Sequence, residues 1–286
     1  MKFTRACLVV LAVIMLSSAL STAQVNWMSP LHEPGISLEI SKVSYEWDRN
    51  LSFWSIQYSL SGRIRLADRL DLLLEFPYSH FSRKAYSYYG GSYYERSEST
   101  IGNPLLGIEL AGRESSPVLK FGVRLPLAEV DYQNYHASDF GMASAMDRWE
   151  AFWPKLLTLQ LSTGYRVVEM NQYQFQFLFS PTAMFPDEGD PELLADCSAE
   201  FWLTQRYVRA GLGINGRLIV TESDLSFDER TQFQAGASLS ATIGSFHPGI
   251  HIRVPLDESI QQSLNFTYGL NLTVDLPVSN STGEGE

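Results

Sequence analysis

Apolar and polar residues alternate along most of this chain, in segments of strand length. In the stretch 63–82, RIRLADRLDLLLEFPYSHFS, two such segments meet at a very short turn. Before the turn Trp54, Ile56, Tyr58, Leu60, Ile64 and Leu66 share one parity, interleaved with Ser55, Gln57, Ser59, Ser61, Arg63 and Arg65. After Ala67 and Asp68 the pattern resumes, with Leu70, Leu72, Leu74, Phe76 and Tyr78 against Asp71, Leu73, Glu75 and Ser79. Side chains alternate faces along a strand, so each segment predicts a strand with one greasy and one mostly polar face.

The pattern recurs often enough to predict strands over 35–47, 51–66, 69–80, 100–111, 118–127, 156–168, 172–185, 194–205, 207–219, 231–243, 247–256 and 263–276. In the first of these the apolar parity switches between Ile40 and Val43, which predicts a bulge at Ser41-Lys42. Merging or splitting one hairpin would change the number of strands to ten or fourteen. Short connections largely alternate with longer ones, the longer including 81–99, 128–155, 186–193 and 221–230. A soluble sandwich has no reason to keep that rhythm, whereas an outer-membrane barrel has short turns on one side and long loops on the other. The predicted fold is therefore all-β, a transmembrane antiparallel up-and-down β-barrel of about twelve strands over 35–276. In lipid every backbone polar group needs a partner, so the sheet must close on itself.

The N-terminus changes the compartment. Lys2 and Arg5 precede an apolar run, and Ser21-Thr22-Ala23 ends it, which reads as a cleavable signal peptide over 1–23. Residues 24–34 form a short lead, and 277–286 a polar, acidic tail expected to be disordered. Loss of Lys2 and Arg5 with the signal takes the formal net charge from −11 to −13, which argues against nucleic acid as a partner. Cys197 is then the sole cysteine and cannot form an internal disulfide; alternating with Ala195, Ala199 and Phe201, it reads as a small apolar filler. No later segment is long and apolar enough for a membrane helix.

Three stretches carry a resemblance. LADRLDLLLEFPYSHFS, IGNPLLGIEL and LKFGVRLPLAE resemble strand motifs of a large bacterial family of outer-membrane barrels, the transporters of the MetA-pathway of phenol degradation type. Asn103 stands where that family more usually has Asp, and Leu127-Ala128 where it has Thr-Gly. The resemblance covers residues 63–129. It implies an outer-membrane barrel, with small hydrophobic or aromatic solutes as the candidate class, and assigns no particular substrate. The last strand, with Thr267, Gly269, Leu272 and Val274, resembles the signal read by the barrel-assembly machinery, although Val274 replaces the terminal aromatic residue. The partners so implied are outer-membrane lipids, that machinery during biogenesis, and a small-molecule solute.

The candidate chemistry lies on the polar parity. Arg63, Arg65, Asp71, Glu75, Glu109, Lys120, Arg124, Arg166, Glu200, Arg209, Arg217 and Arg253 are the predicted lumen-lining residues, joined by Glu39 and Asp196. They read either as a lumen that selects solutes or as paired charges filling a narrow interior. Their near balance of sign argues against strong ion selectivity. Two loops are rich in aromatics: Tyr86, Tyr88, Tyr89, Tyr93 and Tyr94 in one, Tyr132, Tyr135, Phe140, Trp149, Phe152 and Trp153 in or beside the other. They read as a lid or constriction over the lumen, or as an interfacial girdle beside a solvated loop. In the second, 138–152 predicts a short helix with Ser138 as its N-cap. His80 and Ser82 form an H-x-S pair of the kind used by some outer-membrane lipid hydrolases, with Asn103 as a weak orienting candidate. The surroundings do not match those enzymes, so no catalytic set is assigned. With no phosphate loop, zinc-spaced cluster or nucleotide motif, no metal or cofactor is assigned either. The functional expectation is a channel for small solutes; the alternatives are a plugged structural or surface-binding barrel, or a lipid hydrolase.

Overall fold

The computed structural model describes residues 34–45, 52–86, 93–111, 115–169, 172–222, 226–261 and 264–276. Its sheet is built from β1 (Gly35–Tyr45), β2 (Ser52–Ala67), β3 (Leu70–Tyr86), β4 (Tyr93–Ile101), β5 (Leu105–Ala111), β6 (Ser116–Arg124) and β7 (Leu157–Glu169). It continues through β8 (Tyr173–Phe185), β9 (Glu192–Thr204), β10 (Val208–Ile219), β11 (Thr231–Ala241), β12 (Phe246–Pro255) and β13 (Leu264–Asp275). Neighbours in sequence are antiparallel neighbours in space, and β13 returns to pair with β1. β4 and β5 both lie on β3, β5 along Leu70–Glu75 and β4 along Tyr78–Tyr86. They are two segments of one stave, interrupted at Gly102-Asn103-Pro104. The result is a closed twelve-stranded antiparallel barrel.

The two faces are inverted relative to a water-soluble domain. On β8, Tyr173, Phe175, Phe177 and Phe179 point outward and are 38–46% exposed, while Gln174, Gln176 and Ser180 between them are at most 8% exposed. Leu60, Leu106, Phe121, Phe201, Ile214, Leu239, Ile252 and Tyr268 continue the exposed apolar surface around the other staves. Glu39, Glu75, Glu109, Arg124, Asp196, Arg217 and Arg253 are buried inside. No helix among the described residues is long and apolar enough to cross a membrane. The connections at 68–69, 112–115, 170–172, 205–207 and 242–245 lie on one rim, here the short-turn rim. The strand ends that flank the longer ones lie on the opposite rim.

Several boundaries differ from the sequence-based expectation, each for a physical reason. The β1 register against β13 runs unbroken through Ser41 and Lys42 and shifts only at Ser44/Tyr45. The parity switch at Val43 is therefore not a bulge. Val43 faces inward because Met146 and Leu264 are there to cover it. β3 continues to Tyr86 and pairs with β4 as far as Tyr93, so most of the supposed loop 81–99 is a projecting ribbon. Tyr88 and Tyr89 lie outside the described residues, as do 1–33 and 277–286. In the closing seam an added Cβ on Gly269 would meet Ile40 O at 2.0 Å and the His251 ring at 2.6 Å, so only glycine lets β13 close on β1 with that ring in place.

Candidate functional site

The longest connection, between β6 and β7, is not an external loop. It folds into the barrel as helix α1 (Tyr135–Ser144) followed by a 3₁₀ turn (Met146–Ala151). Asn134, not Ser138, sits at the N-cap position. Ser138 is buried inside the helix and donates to Phe152 O at 2.7 Å, pinning the helix to the returning leg. The aromatic residues divide accordingly. Tyr132, Tyr135 and Trp153 are exposed, whereas Phe152 is fully buried. Phe140 stacks on Phe81 with ring centroids 4.7 Å apart and lies 5.1 Å from both Tyr45 and Phe53. Each of these wall residues breaks the inward-polar rule. Apolar side chains on the polar parity thus mark where the plug covers the wall.

A notch in the wall receives the returning leg. Asn103 N–H donates to Ala151 O at 2.6 Å, and its Nδ2 donates to Glu150 O at 3.0 Å and Trp153 O at 2.7 Å. Its Oδ1 accepts from Ala128 N at 2.8 Å. One buried amide therefore satisfies three backbone groups of the loop, and the loop replaces the strand pairing lost between β4 and β5. A Cβ on Gly102 would meet Ala151 O at 2.3 Å, so the plug seats only against a glycine. Asn103→Ala leaves those groups unsatisfied, at about 1–3 kcal/mol for each group that water does not reach. It should render the segment 125–156 sensitive to protease while the barrel stays folded; protection equal to wild type would remove this anchoring role.

The 3₁₀ turn carries Asp147, Arg148 and Glu150 across the lumen, where they meet staves on several sides. Arg148 contacts Glu39 and Glu75, each at 3.0 Å, together with its neighbour Asp147. Arg253 bridges Glu39 at 2.8 Å and Asp147 at 3.1 Å. Arg217 holds Glu150 at 2.9 Å, donates to Asp147 O at 2.9 Å and pairs with Asp196. Arg124 binds Glu75 at 2.7 Å and Asn103 O at 3.1 Å, and Gln160 donates to Glu150 at 3.2 Å. Residues from β1, β3, β6, β7, β10 and β12 thus converge on three consecutive-turn side chains. Sequence reasoning missed those three. Their signal was the acidic and basic residues of DRWE set within an otherwise apolar run.

Nearer the short-turn rim is a second layer. Glu109 is fully enclosed by Arg63 at 2.7 Å, Lys120 at 3.2 Å and Arg166 at 3.2 Å, and Arg166 also donates to Gln176 at 2.9 Å. Asp71 pairs with Arg65 and lies 3.8 Å from Arg63. Glu200 accepts from Trp202 Nε1 at 3.1 Å, and the Arg209 guanidinium lies 5.2 Å from the Trp202 ring centre. The predicted lumen residues, with the three from the turn added, therefore fall into two groups. Around the plug Arg124, Arg148, Arg217 and Arg253 face the carboxylates of Glu39, Glu75, Asp147, Glu150 and Asp196. Below it Arg63, Arg65, Lys120, Arg166 and Arg209 face Asp71, Glu109 and Glu200. The near balance read along the chain combines an even set around the plug, three arginines to three carboxylates, with a basic set below it, five cations to three; the acidic excess around the plug comes from Asp147 and Glu150 against Arg148.

The remaining candidates lie elsewhere. His80 and Ser82 are half-buried, with Phe81 inward between them. His80 Nδ1 lies 2.9 Å from Ser99 Oγ on β4, so its partner is not Ser82. Asn103 is committed to the plug and does not orient this histidine. Cys197 is exposed on the apolar outer face rather than filling a core.

No protein-family model matches this chain, and no curated protein matches it. Among solved structures, the COG4313 outer membrane channel from Pseudomonas putida F1 is similar over 88% of this chain and 99% of its own, with a TM-score of 0.54 and 10% identity. The NanC porin is similar over 85% of this chain and 100% of its own, at a TM-score of 0.49 and 5% identity. The CymD monoaromatic hydrocarbon channel is similar over 86% of this chain and 88% of its own, at 0.42 and 7%. At 10% identity the likeness to the first of these is one of fold alone, the closed antiparallel barrel described above.

Proposed function

We propose that this chain is an outer-membrane channel for small solutes, held closed by its own segment 125–156. The observation that carries this reading is the inversion of the two faces. A belt of exposed Leu, Ile, Phe and Tyr surrounds the barrel, and a continuous apolar surface of that extent calls for lipid. Inside, a wall of arginines and carboxylates has no use in a merely structural cylinder, which would be filled more cheaply by apolar residues. The plug is held by ion pairs, which water can replace when it moves. An apolar plug would have no such exchange. Export through the signal over 1–23 and assembly through the 267–274 motif belong to the same proposal. So does a preference for small hydrophobic or aromatic solutes, which rests on the resemblance in 63–129.

The test is single-channel recording in planar bilayers with the refolded chain and with a variant whose residues 130–154 are replaced by a short Gly-Ser linker. Wild type should open rarely, and the plug-deleted barrel should give steady, uniform steps. A plug-deleted barrel that is folded by heat-modifiable gel mobility yet silent would overturn the channel, leaving a structural or surface-binding barrel.

A further inference from the structure

We infer that the outer wall over β2, β1, β13, β12 and β11 carries a site for an anionic lipid of the outer leaflet, with one acyl chain in a groove of the wall and the lipid phosphate on Lys42. This deepens the outer-membrane reading above and rests on it. An apolar groove of about 750 Å³ crosses these five neighbouring staves. Its lining includes Ile40, Lys42, Ile56, Ala237, Leu239 and Tyr268. All six lie on the outward parity of their strands, so the groove opens toward lipid and not into the lumen. Ala237 and Gly269 offer little or no side chain, and the larger residues stand around them. Neighbouring strands are about 4.8 Å apart, so a groove across five staves is about 19 Å long. Half of a hydrocarbon core of about 30 Å is about 15 Å, so a groove of that length, laid obliquely over tilted staves, takes one acyl chain of one leaflet.

The head group is read from Lys42. Among the described outward-facing strand residues, charge otherwise stands only on the projecting ribbon, where Lys84 pairs with Glu95 at 3.4 Å, and at Glu169, where β7 ends. Lys42 is half-buried, and across the seam it faces Tyr268. Among the described residues it has no ion-pair partner, and no outward residue of these five staves is a carboxylate. A cation on a lipid-facing wall is costly unless something meets its charge, and here that group comes from outside the chain. Lys42 lies close to where β1 ends at Tyr45, near the long-loop rim, whereas Leu239 lies well down β11 from Thr231. The row of paired residues from Lys42 through Tyr268 and Ile252 to Ala237 thus descends toward the short-turn rim. Long loops face the outside in such barrels, which puts Lys42 on the outer-leaflet side and runs the groove from it toward the midplane. A second copy of the chain does not fit this face. A two-fold interface there would bring two Lys42 side chains into one apolar surface with no carboxylate to meet them.

The experiment is native mass spectrometry of the refolded full chain in detergent micelles, with diphosphoryl lipid A and with the same lipid stripped of its phosphates. Wild type should retain one lipid A per barrel and bind the phosphate-free form about fivefold to tenfold more weakly. Lys42→Gln should lose the same factor for lipid A, and Lys42→Arg should keep most of the binding. Ala237→Phe fills the groove from the lipid side and should weaken both forms of the lipid. Heat-modifiable gel mobility checks that each variant is folded. A folded wild-type barrel that retains no lipid A, equal retention of the two forms, or retention that either Lys42→Gln or Ala237→Phe leaves unchanged would each overturn the assignment. A dimer of the chain that Ala237→Phe abolishes would overturn it too, and give the face to a second copy. The measurement needs no ion flow. A silent plug-deleted barrel that still retains lipid A defeats the channel alone, and a conducting one that retains none defeats the lipid site alone.

Discussion

A barrel carrying Arg148→Gln is expected to conduct where wild type is closed. Arg148 is the one plug cation that reaches both β1 and β3, through Glu39 and Glu75, while its side chain is almost wholly buried. With the plug seated, the glutamine leaves Glu39, Asp147 and Glu75 to Arg253 and Arg124 alone, one cation fewer in a water-poor interior. With the plug displaced, the same carboxylates are hydrated and lose little. The substitution therefore penalises the closed state selectively. Removing one partner of a buried ion pair costs about 3–5 kcal/mol. At about 1.4 kcal/mol per factor of ten, that raises the ratio of open to closed by about a hundredfold or more. Single-channel open probability reads this directly. Arg148→Lys keeps the charge but not the forked geometry and should open less often than the glutamine variant. An Arg148→Gln barrel that is folded and opens no more often than wild type would show that the network does not hold the plug.

Glu109→Gln should act on the barrel rather than on the plug. Its carboxylate neutralises Arg63, Lys120 and Arg166 together, contributed by β2, β6 and β7. The amide would leave three cations facing one another in a buried site, and the loss should be about 3–5 kcal/mol of unfolding free energy. Urea unfolding of barrels reconstituted in vesicles, followed by tryptophan fluorescence, would show it as a lower midpoint with an unchanged slope. Glu109→Asp keeps the charge and should lose less. Because the ion-pair partners of Glu109 among the described residues are the wall residues Arg63, Lys120 and Arg166, the open probability of the folded fraction should stay close to wild type. A large rise in opening without loss of stability would mean that the two layers are coupled. Arg124 and Arg166 fall in different layers, so reversing both charges at once would mix a plug effect with a wall effect; the single variants separate them.

The strand pattern was legible because alternation is a local property. Leu157 to Val168, Tyr173 to Phe185 and Leu264 to Val274 show their two faces without reference to any neighbour, and the observed strands follow them within a few residues. The same parity put Arg63, Glu75, Glu109, Arg124, Arg217 and Arg253 together on the polar face. What parity could not supply was a partner. Val43, Tyr45 and Phe81 looked like slips or loop residues because the surface that covers them comes from residues 140–146, about 60 to 100 positions away in the chain. Asn103 looked like a strand residue, and as a weak aid to His80, because the backbone groups it satisfies belong to a loop nearly 50 positions later.

The plug itself was the largest omission. Asp147, Arg148 and Glu150 have no periodicity that distinguishes them from a solvated loop. Their role comes from the closed cylinder, which brings Glu39, Glu75, Arg124, Arg217 and Arg253 around one point. Axial separation of charge is likewise invisible in a linear count. Strands run up and down, so residues distant in sequence share a height and neighbours in sequence do not. The sequence by itself determined that the chain is a barrel with an apolar outside and a charged inside, because strand periodicity and face polarity need no long-range information. Tertiary structure alone decided that segment 125–156 folds into the lumen, what holds it there and which end of the lumen is basic, because each of these depends on where the ring of staves places distant side chains.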